Sequence, residues 1–333
     1  MALSTRKLAA LVAGAALALA GCSSDPKGDA SQTPSTSSAQ DSYSIGIAEF
    51  VSHPSLDASI AGFKAAIADA GLDVTYDEQN SQGDQGTAAS IASKFASQDL
   101  DLVLAVATPI AQAVAQNVVD VPVLFTAVTD PEAAQLVASN EQPGANVTGT
   151  TDLNPVADQI ALVKRVLPEA KKVGVIYSSG EVNSEVQVVL AKEEAQKQGL
   201  EIVEKTITNS SEVSQAAQAL GDVDAIYVPT DNIVVSALDS VVQVAEATQT
   251  LLVVGEASSV EKGGALTFGL NYEDLGRQTG EMAVEILTQG ADPATMAVQA
   301  QQNPQLVVNP AAAERMGITL PQDLLDEADQ VIE

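Results

Sequence analysis

Aromatic side chains are almost missing from this chain: five Phe, five Tyr and no Trp make up 3% of its 333 residues. Its cores must therefore be built from Ala, Val, Leu and Ile, which suits helices laid on parallel sheets. Cations are scarce as well, with 15 Lys and Arg against 44 Asp and Glu and a formal net charge of -29. Nucleic acid would be repelled, and no basic stripe exists to follow a phosphate backbone. A single Cys excludes a disulfide within the chain. His53, the lone histidine, lacks the companions of a metal site or a Ser-His-acid triad, which leaves it a structural duty or one contact at a cleft rim. Gly83-Asp-Gln-Gly86 lacks the Lys and the spacing of a phosphate loop, and no carboxylate pair for glycoside hydrolysis can be nominated. Nothing in the sequence demands catalysis, a cofactor or a metal.

What is present begins with a leader. Arg6 and Lys7 precede an apolar run from Leu8 to Ala20 that is too short to span a bilayer and reads as a secretory signal. It ends Leu19-Ala20-Gly21-Cys22, which resembles the lipobox of bacterial lipoproteins and implies lipidation of Cys22. Residues 23–42 carry no apolar side chain larger than Ala, so they cannot bury enough surface to offset ordering and read as a disordered tether. A body hung from such a tether sits outside the cytoplasm, anchored to the outer face of the cell membrane.

From Ser44 short apolar runs alternate with helical patterns. Strands are expected at Ile45–Phe50, Asp73–Tyr76, Leu102–Val106, Val121–Phe125 and Ala145–Thr150, with a helix after Pro54 that buries Ile60, Phe63, Ile67 and Ala70. Asn154-Pro155 caps a new helix, and the pattern restarts with strands at 173–177, 200–204, 225–228, 251–254 and 265–270. A single helix is expected over 233–247, another over 212–220, and a loop over 291–304. Strands separated by single helices imply right-handed crossovers and parallel sheets. The expected fold class is α/β: two doubly wound parallel-sheet lobes joined by a hinge near residues 151–154 and 270–272. The first lobe takes 43–152 plus about 271–292, and the second takes 153–270 plus about 300–333.

Two such lobes present their carboxyl strand ends to a shared cleft. The first offers Thr108-Pro109 at a helix start, with free backbone amides, and Thr126-Ala127 on the neighbouring strand end. The second offers Ser178, Ser179 and Asn183, then Thr230-Asp231-Asn232, then Glu256. Donors on one lobe and acceptors on the other suit an α-amino acid zwitterion, with Thr108 and Thr126 holding the carboxylate and Asp231 the ammonium. Phe50, His53, Asn271 and Tyr272 complete the expected cleft, Phe50 and its neighbours facing the side chain.

Several runs then look familiar together: Phe50-Val-Ser-His-Pro-Ser-Leu-Asp57, Ala107-Thr-Pro109, Val123-Leu-Phe-Thr-Ala-Val-Thr-Asp-Pro131, Asn146-Val-Thr-Gly149, Ile226-Tyr-Val-Pro-Thr-Asp-Asn232 and Gly269-Leu-Asn-Tyr-Glu-Asp-Leu-Gly276. From about Ser44 to Pro321 the chain resembles the ABC transporter substrate-binding lipoproteins of the tryptophan/tyrosine-binding type. The resemblance implies a type I periplasmic-binding-protein fold, an aromatic amino acid as ligand, and a monomer that works with a permease and its ATPase. A sensing receptor, a binder of another small solute such as a branched-chain amino acid, and a surface hydrolase are the rival readings. Replacing the anchor residue, Cys22→Ser, should move the protein from the detergent-extractable membrane fraction into the soluble fraction; unchanged fractionation on immunoblots would remove the anchor from this account.

Overall fold

A computed structural model describes residues 42–332. The leader, Cys22 and the tether lie outside the described residues, except that Ser42, assigned to the tether, is the first residue of a strand. Elements follow in chain order: β1 (Ser42–Glu49), α1 (Pro54–Asp69), β2 (Asp73–Asn80), α2 (Gln85–Ala96), β3 (Leu102–Val106), α3 (Thr108–Asn117), β4 (Val123–Val128) and β5 (Val147–Thr151). The chain then crosses to α4 (Val156–Val166), β6 (Lys172–Ser178), α5 (Val182–Gln198), β7 (Glu201–Ile207), α6 (Val213–Gln218), β8 (Ala225–Val228), α7 (Asn232–Ser236), α8 (Leu238–Thr248), β9 (Leu251–Val254), α9 (Ala257–Glu261) and β10 (Leu266–Gly269). It returns for α10 (Tyr272–Gln289) and β11 (Gln299–Ala300), and crosses again to β12 (Gln305–Val308), α11 (Pro310–Arg315), α12 (Gln322–Glu327) and β13 (Gln330–Val331).

The first sheet runs β11-β5-β4-β3-β1-β2 and the second β13-β12-β10-β9-β8-β6-β7. All pairings are parallel except β10 with β12. Each sheet is wound in both directions from its first strand, so the order reverses between β1 and β3 in one lobe and between β6 and β8 in the other. Such reversal points open a crevice at the carboxyl strand ends. The central strands β3, β4, β8 and β9 are buried along their whole length, as sheets covered by helices on both faces require.

Three segments join the lobes, and hydrogen bonds tie them side by side. Asn154 Oδ1 accepts from the amide of Leu270 at 3.0 Å, and Gln301 Nε2 donates to the carbonyl of Asn271 at 2.7 Å. Asn154 therefore braces the hinge instead of capping α4, whose N-cap is Pro155. The third crossing falls in the stretch read as loop, where β11 adds a short strand to the first sheet.

Other departures have local causes. The buried residues of α1 are Ser55, Leu56, Ser59, Gly62, Phe63, Ala66 and Ile67, with Ile60 half-buried and Ala70 exposed, because α1 packs along α10. The helix expected over 233–247 is interrupted at Ala237, just after the β-branched run of α7, where Ser236 Oγ bonds back to the carbonyl of Ile233 at 2.8 Å. The segment 212–220 enters through a tight 3-10 turn over Ser210–Glu212 and is helical only as far as Gln218.

Glycines set the α1–α10 distance. A Cβ on Gly276 would run into the backbone carbonyl of Ser59, and one on Gly62 into that of Glu273. Such closeness lets Thr279 reach Thr150 with its hydroxyl at 2.8 Å, and Thr150 in turn donates to Thr126 at 3.1 Å. Gly276→Ala should thus cost about 3 kcal/mol, at or beyond the usual range for overpacking because the obstacle is main chain, measured as a lower urea midpoint at unchanged slope. An unchanged midpoint would show that the helices can part freely.

Candidate functional site

The two reversal points face each other across a closed cavity. His53 and Leu56 from the start of α1, Ala127 and Thr129 from the end of β4, and Asp152 from the hinge form one side. Asn183 from α5, Thr230, Asn232 and Val235 around α7 and Glu256 after β9 form the other, and Tyr272, the first residue of α10, closes the hinge end beside Asp152. The walls nearly meet, and the space left between them is about 10 Å³, room for about one water. Small-molecule sites commonly run from roughly 300 Å³ upward, so a guest of that size finds room only when the lobes part. In this structure they meet directly: Ser55 Oγ lies 2.6 Å from Ser258 Oγ, and Gln85 Nε2 donates to the carbonyl of Gly180 at 3.1 Å.

Local sequence explains how the walls are aimed. Ala127 sits at a register shift between β4 and β5 and has φ 55°, a left-handed conformation that turns the strand end toward the cleft. Gly255 lies so close to Thr230 that a Cβ would come within 2.7 Å of its amide nitrogen. Gln159, wholly buried on α4, donates to the carbonyl of Gly255 at 3.0 Å and to that of Phe268 at 2.5 Å, while Tyr227 donates to its Oε1 at 2.7 Å. One amide thus binds the ends of β8, β9 and β10 together and holds the turn that carries Glu256.

The cavity is acidic. Asp152 and Glu256 line it, and among the described residues no Lys or Arg does. Asp152 accepts from Tyr272 Oη at 2.6 Å and from Thr129 Oγ1 at 3.0 Å, yet burial dominates and pushes its pKa up to about 6. Tyr272 is pushed well upward, first by burial and then by the Asp152 charge. Burial lowers the pKa of His53, which therefore stays neutral at pH 7, although the Glu256 charge pulls the other way. Among the described residues no hydrogen bond of good geometry reaches either ring nitrogen of His53, although the Asn232 side chain lies beside it, and Asn183 Oδ1 and Thr230 Oγ1 are likewise without a partner. Buried polar atoms without partners are costly, and their gathering on one cavity marks a place where a guest supplies the missing bonds.

Of the residues expected from sequence, His53, Ala127, Asn183, Thr230, Asn232, Glu256 and Tyr272 line this cavity. The rest stand elsewhere. Asp231 is fully buried, and its carboxylate is spent on the amides of Ser178 at 2.6 Å and Val234 at 2.8 Å and on the Ser184 hydroxyl at 2.7 Å. It caps α7, is fully buried and does not line the cavity. Thr126 is turned into the chain of hydroxyls that docks α10. Thr108 and Pro109 are buried at the start of α3 away from the cavity wall, with Thr108 Oγ1 unpartnered. Phe50, Ser178 and Ser179 line a separate groove outside the Gln85–Gly180 contact, and Asn271 lines another on the hinge side.

Sequence reasoning missed Leu56, Thr129, Asp152 and Val235 on the wall. It also missed Glu181, buried behind the wall, where it accepts from both nitrogens of Asn232, from the Ile233 amide and from Asn183. Burial and the adjacent Asp231 push Glu181 up to about 8, against the pull of the amide donors that converge on it. Asp152 had a signal: an acid between the last strand of one lobe and the first helix of the next is bound to sit at the hinge.

A class follows from the fold and this site: a two-lobed solute receptor that closes on its guest. The sequence from 44 to 332 matches the family described as ABC transporter substrate binding protein, and the chain belongs to that family. It is 41% identical over 296 residues to a tyrosine-binding protein of Clostridioides difficile strain R20291, covering 87% of this chain and 86% of that one. A Streptococcus crystal structure of an ABC domain in complex with L-Trp superimposes with TM-score 0.85 at 37% identity, over 88% of this chain and 100% of the other. The ligand-free, open structure of a substrate-binding protein with adhesive properties from Clostridium difficile gives 0.66 at 42% identity, over 87% and 99%. The nearer match to the complex despite lower identity agrees with the interlobe hydrogen bonds in marking the closed arrangement. More distant structures, such as a Bacillus halodurans solute binding protein with bound myo-inositol at 17% identity and TM-score 0.60, share the type I periplasmic-binding fold alone. Substrate-binding proteins of ABC importers are not enzymes and work outside the cytoplasm. Among the described residues no helix is long and apolar enough to cross a membrane.

Burying Asp152 has a price in stability. Its pKa is raised on folding, so between about 4 and about 6 the folded chain holds more protons than the unfolded one, and stability falls as pH rises through that window. A raised value of about 6 against 3.8 corresponds to about 3 kcal/mol. Asp152→Asn should accordingly stabilise the protein at pH 7 and flatten its stability between pH 4 and 6, read from denaturant melts; an equally steep profile in the variant would clear Asp152.

Proposed function

We propose that this protein captures an aromatic α-amino acid such as tyrosine, tryptophan or phenylalanine between its lobes and presents the closed form to an ABC permease driven by its ATPase. Cys22 holds it by lipid to the outer face of the membrane, and it acts as a monomer. The observation that carries the reading is a pair of acidic side chains, Asp152 and Glu256, buried on one narrow cavity with no cation of the protein's own. An ammonium supplies that charge. The amino-acid relatives at 41% and 37% identity support the same class of ligand.

In this reading the ammonium lies between Asp152, Glu256 and Tyr272. The carboxylate takes the first-turn amides of α1 at Ser55 and Leu56, which helix geometry leaves without intrahelical acceptors. The ring fills the slot between Leu56, Ala127 and Val235, and Thr230, Asn183 and His53 offer their unpartnered atoms to a ring hydroxyl or indole N–H.

Calorimetric titration with the natural amino acids should give heat for the aromatic ones and abolish it in Glu256→Gln. Because the ammonium needs ionised Asp152, affinity should be flat above pH about 6 and weaken by up to about tenfold per unit below it. Silence from every amino acid would reject the ligand class.

A further inference from the structure

We infer that Ser55 and Ser258 form one positioning relay, through which closure of the lobes and the ligand's charge at Glu256 strengthen each other. The inference rests on the amino-acid reading of the cavity and adds to it the residues that couple binding to movement.

Ser55 belongs to the first turn of α1 in the first lobe and Ser258 to α9 in the second, and their hydroxyl oxygens stand 2.6 Å apart. Ser258 Oγ is also 3.1 Å from Glu256 Oε1, to which it donates, as Ser259 Oγ does at 2.9 Å. A hydroxyl has one proton. With the proton of Ser258 committed to the carboxylate, the Ser55 hydroxyl must be the donor in the bond between the lobes. The chain of bonds therefore runs in one direction, from lobe to lobe and then into Glu256, and each donor polarises the next.

Ser55 is 1% exposed, and its hydroxyl has no other partner among the described residues. When the lobes part, that hydroxyl turns to water and Ser258 loses the donor behind it. Oε1 takes both serine hydroxyls, which leaves Oε2 of a cavity-lining side chain with no protein partner among the described residues. With Oε1 held by the two serine hydroxyls, the carboxylate is fixed in the rotamer that turns Oε2 to the cavity, so an ammonium on Oε2 and the Ser55–Ser258 bond favour the same closed geometry. The second interlobe bond, Gln85 to Gly180, touches no cavity carboxylate and serves as an internal control.

The test is a double-mutant cycle on the full chain, titrated calorimetrically with L-tyrosine and L-tryptophan and followed by stopped-flow for dissociation. Ser55→Ala and Ser258→Ala should each weaken binding about tenfold, mostly through faster dissociation, and the double variant should be no more than about twofold weaker than the worse single. Gln85→Ala combined with Ser258→Ala should instead multiply. Urea midpoints of every variant separate lost coupling from lost folding. Multiplying effects of Ser55→Ala and Ser258→Ala, or an unchanged Kd in either, would overturn the relay while leaving the amino-acid reading in place. No binding of either amino acid by the unaltered protein would overturn both.

Discussion

Asp152 leaves the first sheet at the hinge and meets Glu256 from the second lobe on one cavity, with Tyr272 and Thr129 bonded to the former and two serines to the latter. Neither carboxylate has a Lys or Arg beside it in the cavity wall. A buried negative charge is tolerated only when something answers it, and under the proposed function the ammonium of the ligand does so. Much of the surrounding structure can be understood as support for that arrangement. Gln159 and Tyr227 hold the turn that carries Glu256, and Asn154 and Gln301 hold the strands on which Asp152 hangs.

The same demand explains the divided roles of the acids on the second lobe. Asp231 and Glu181 lie deeper, and both are consumed in satisfying the backbone at the start of α7. They orient Thr230 and Asn232 toward the cavity without touching it. On the first lobe, glycine-mediated contact of α1 with α10 fixes where α1 begins, and with it His53, Ser55 and Leu56. A site of two lobes thus depends on helix packing some distance from the cleft.

The lobes, their strand content and the positions of most loops could be read from periodicity, because each apolar run must be covered on both faces. β3, β8 and β9 fall where the apolar runs 102–106, 225–228 and 251–254 place them. The cleft could be read only in part. His53, Thr230 and Glu256 follow strands directly, so their exposure at a carboxyl strand end follows from topology. Asp231 and Thr126 satisfy the same rule and yet point elsewhere, since one hydrogen bond to a neighbouring amide or hydroxyl is enough to redirect a short side chain. Phe50, buried in the first-lobe core, lines the groove beside Gln85 and not the cavity.

Sequence alone determined the class of fold, the family resemblance, the acidic and aromatic-poor character, and the existence of a polar cleft, because these depend on composition and on periods of two and 3.6 residues along the chain. Tertiary structure decided which carboxylates face the guest and which cap a helix. That choice depends on hydrogen bonds between residues far apart in the chain, such as Ser178 to Asp231 and Tyr272 to Asp152, each at 2.6 Å, and no local pattern encodes them.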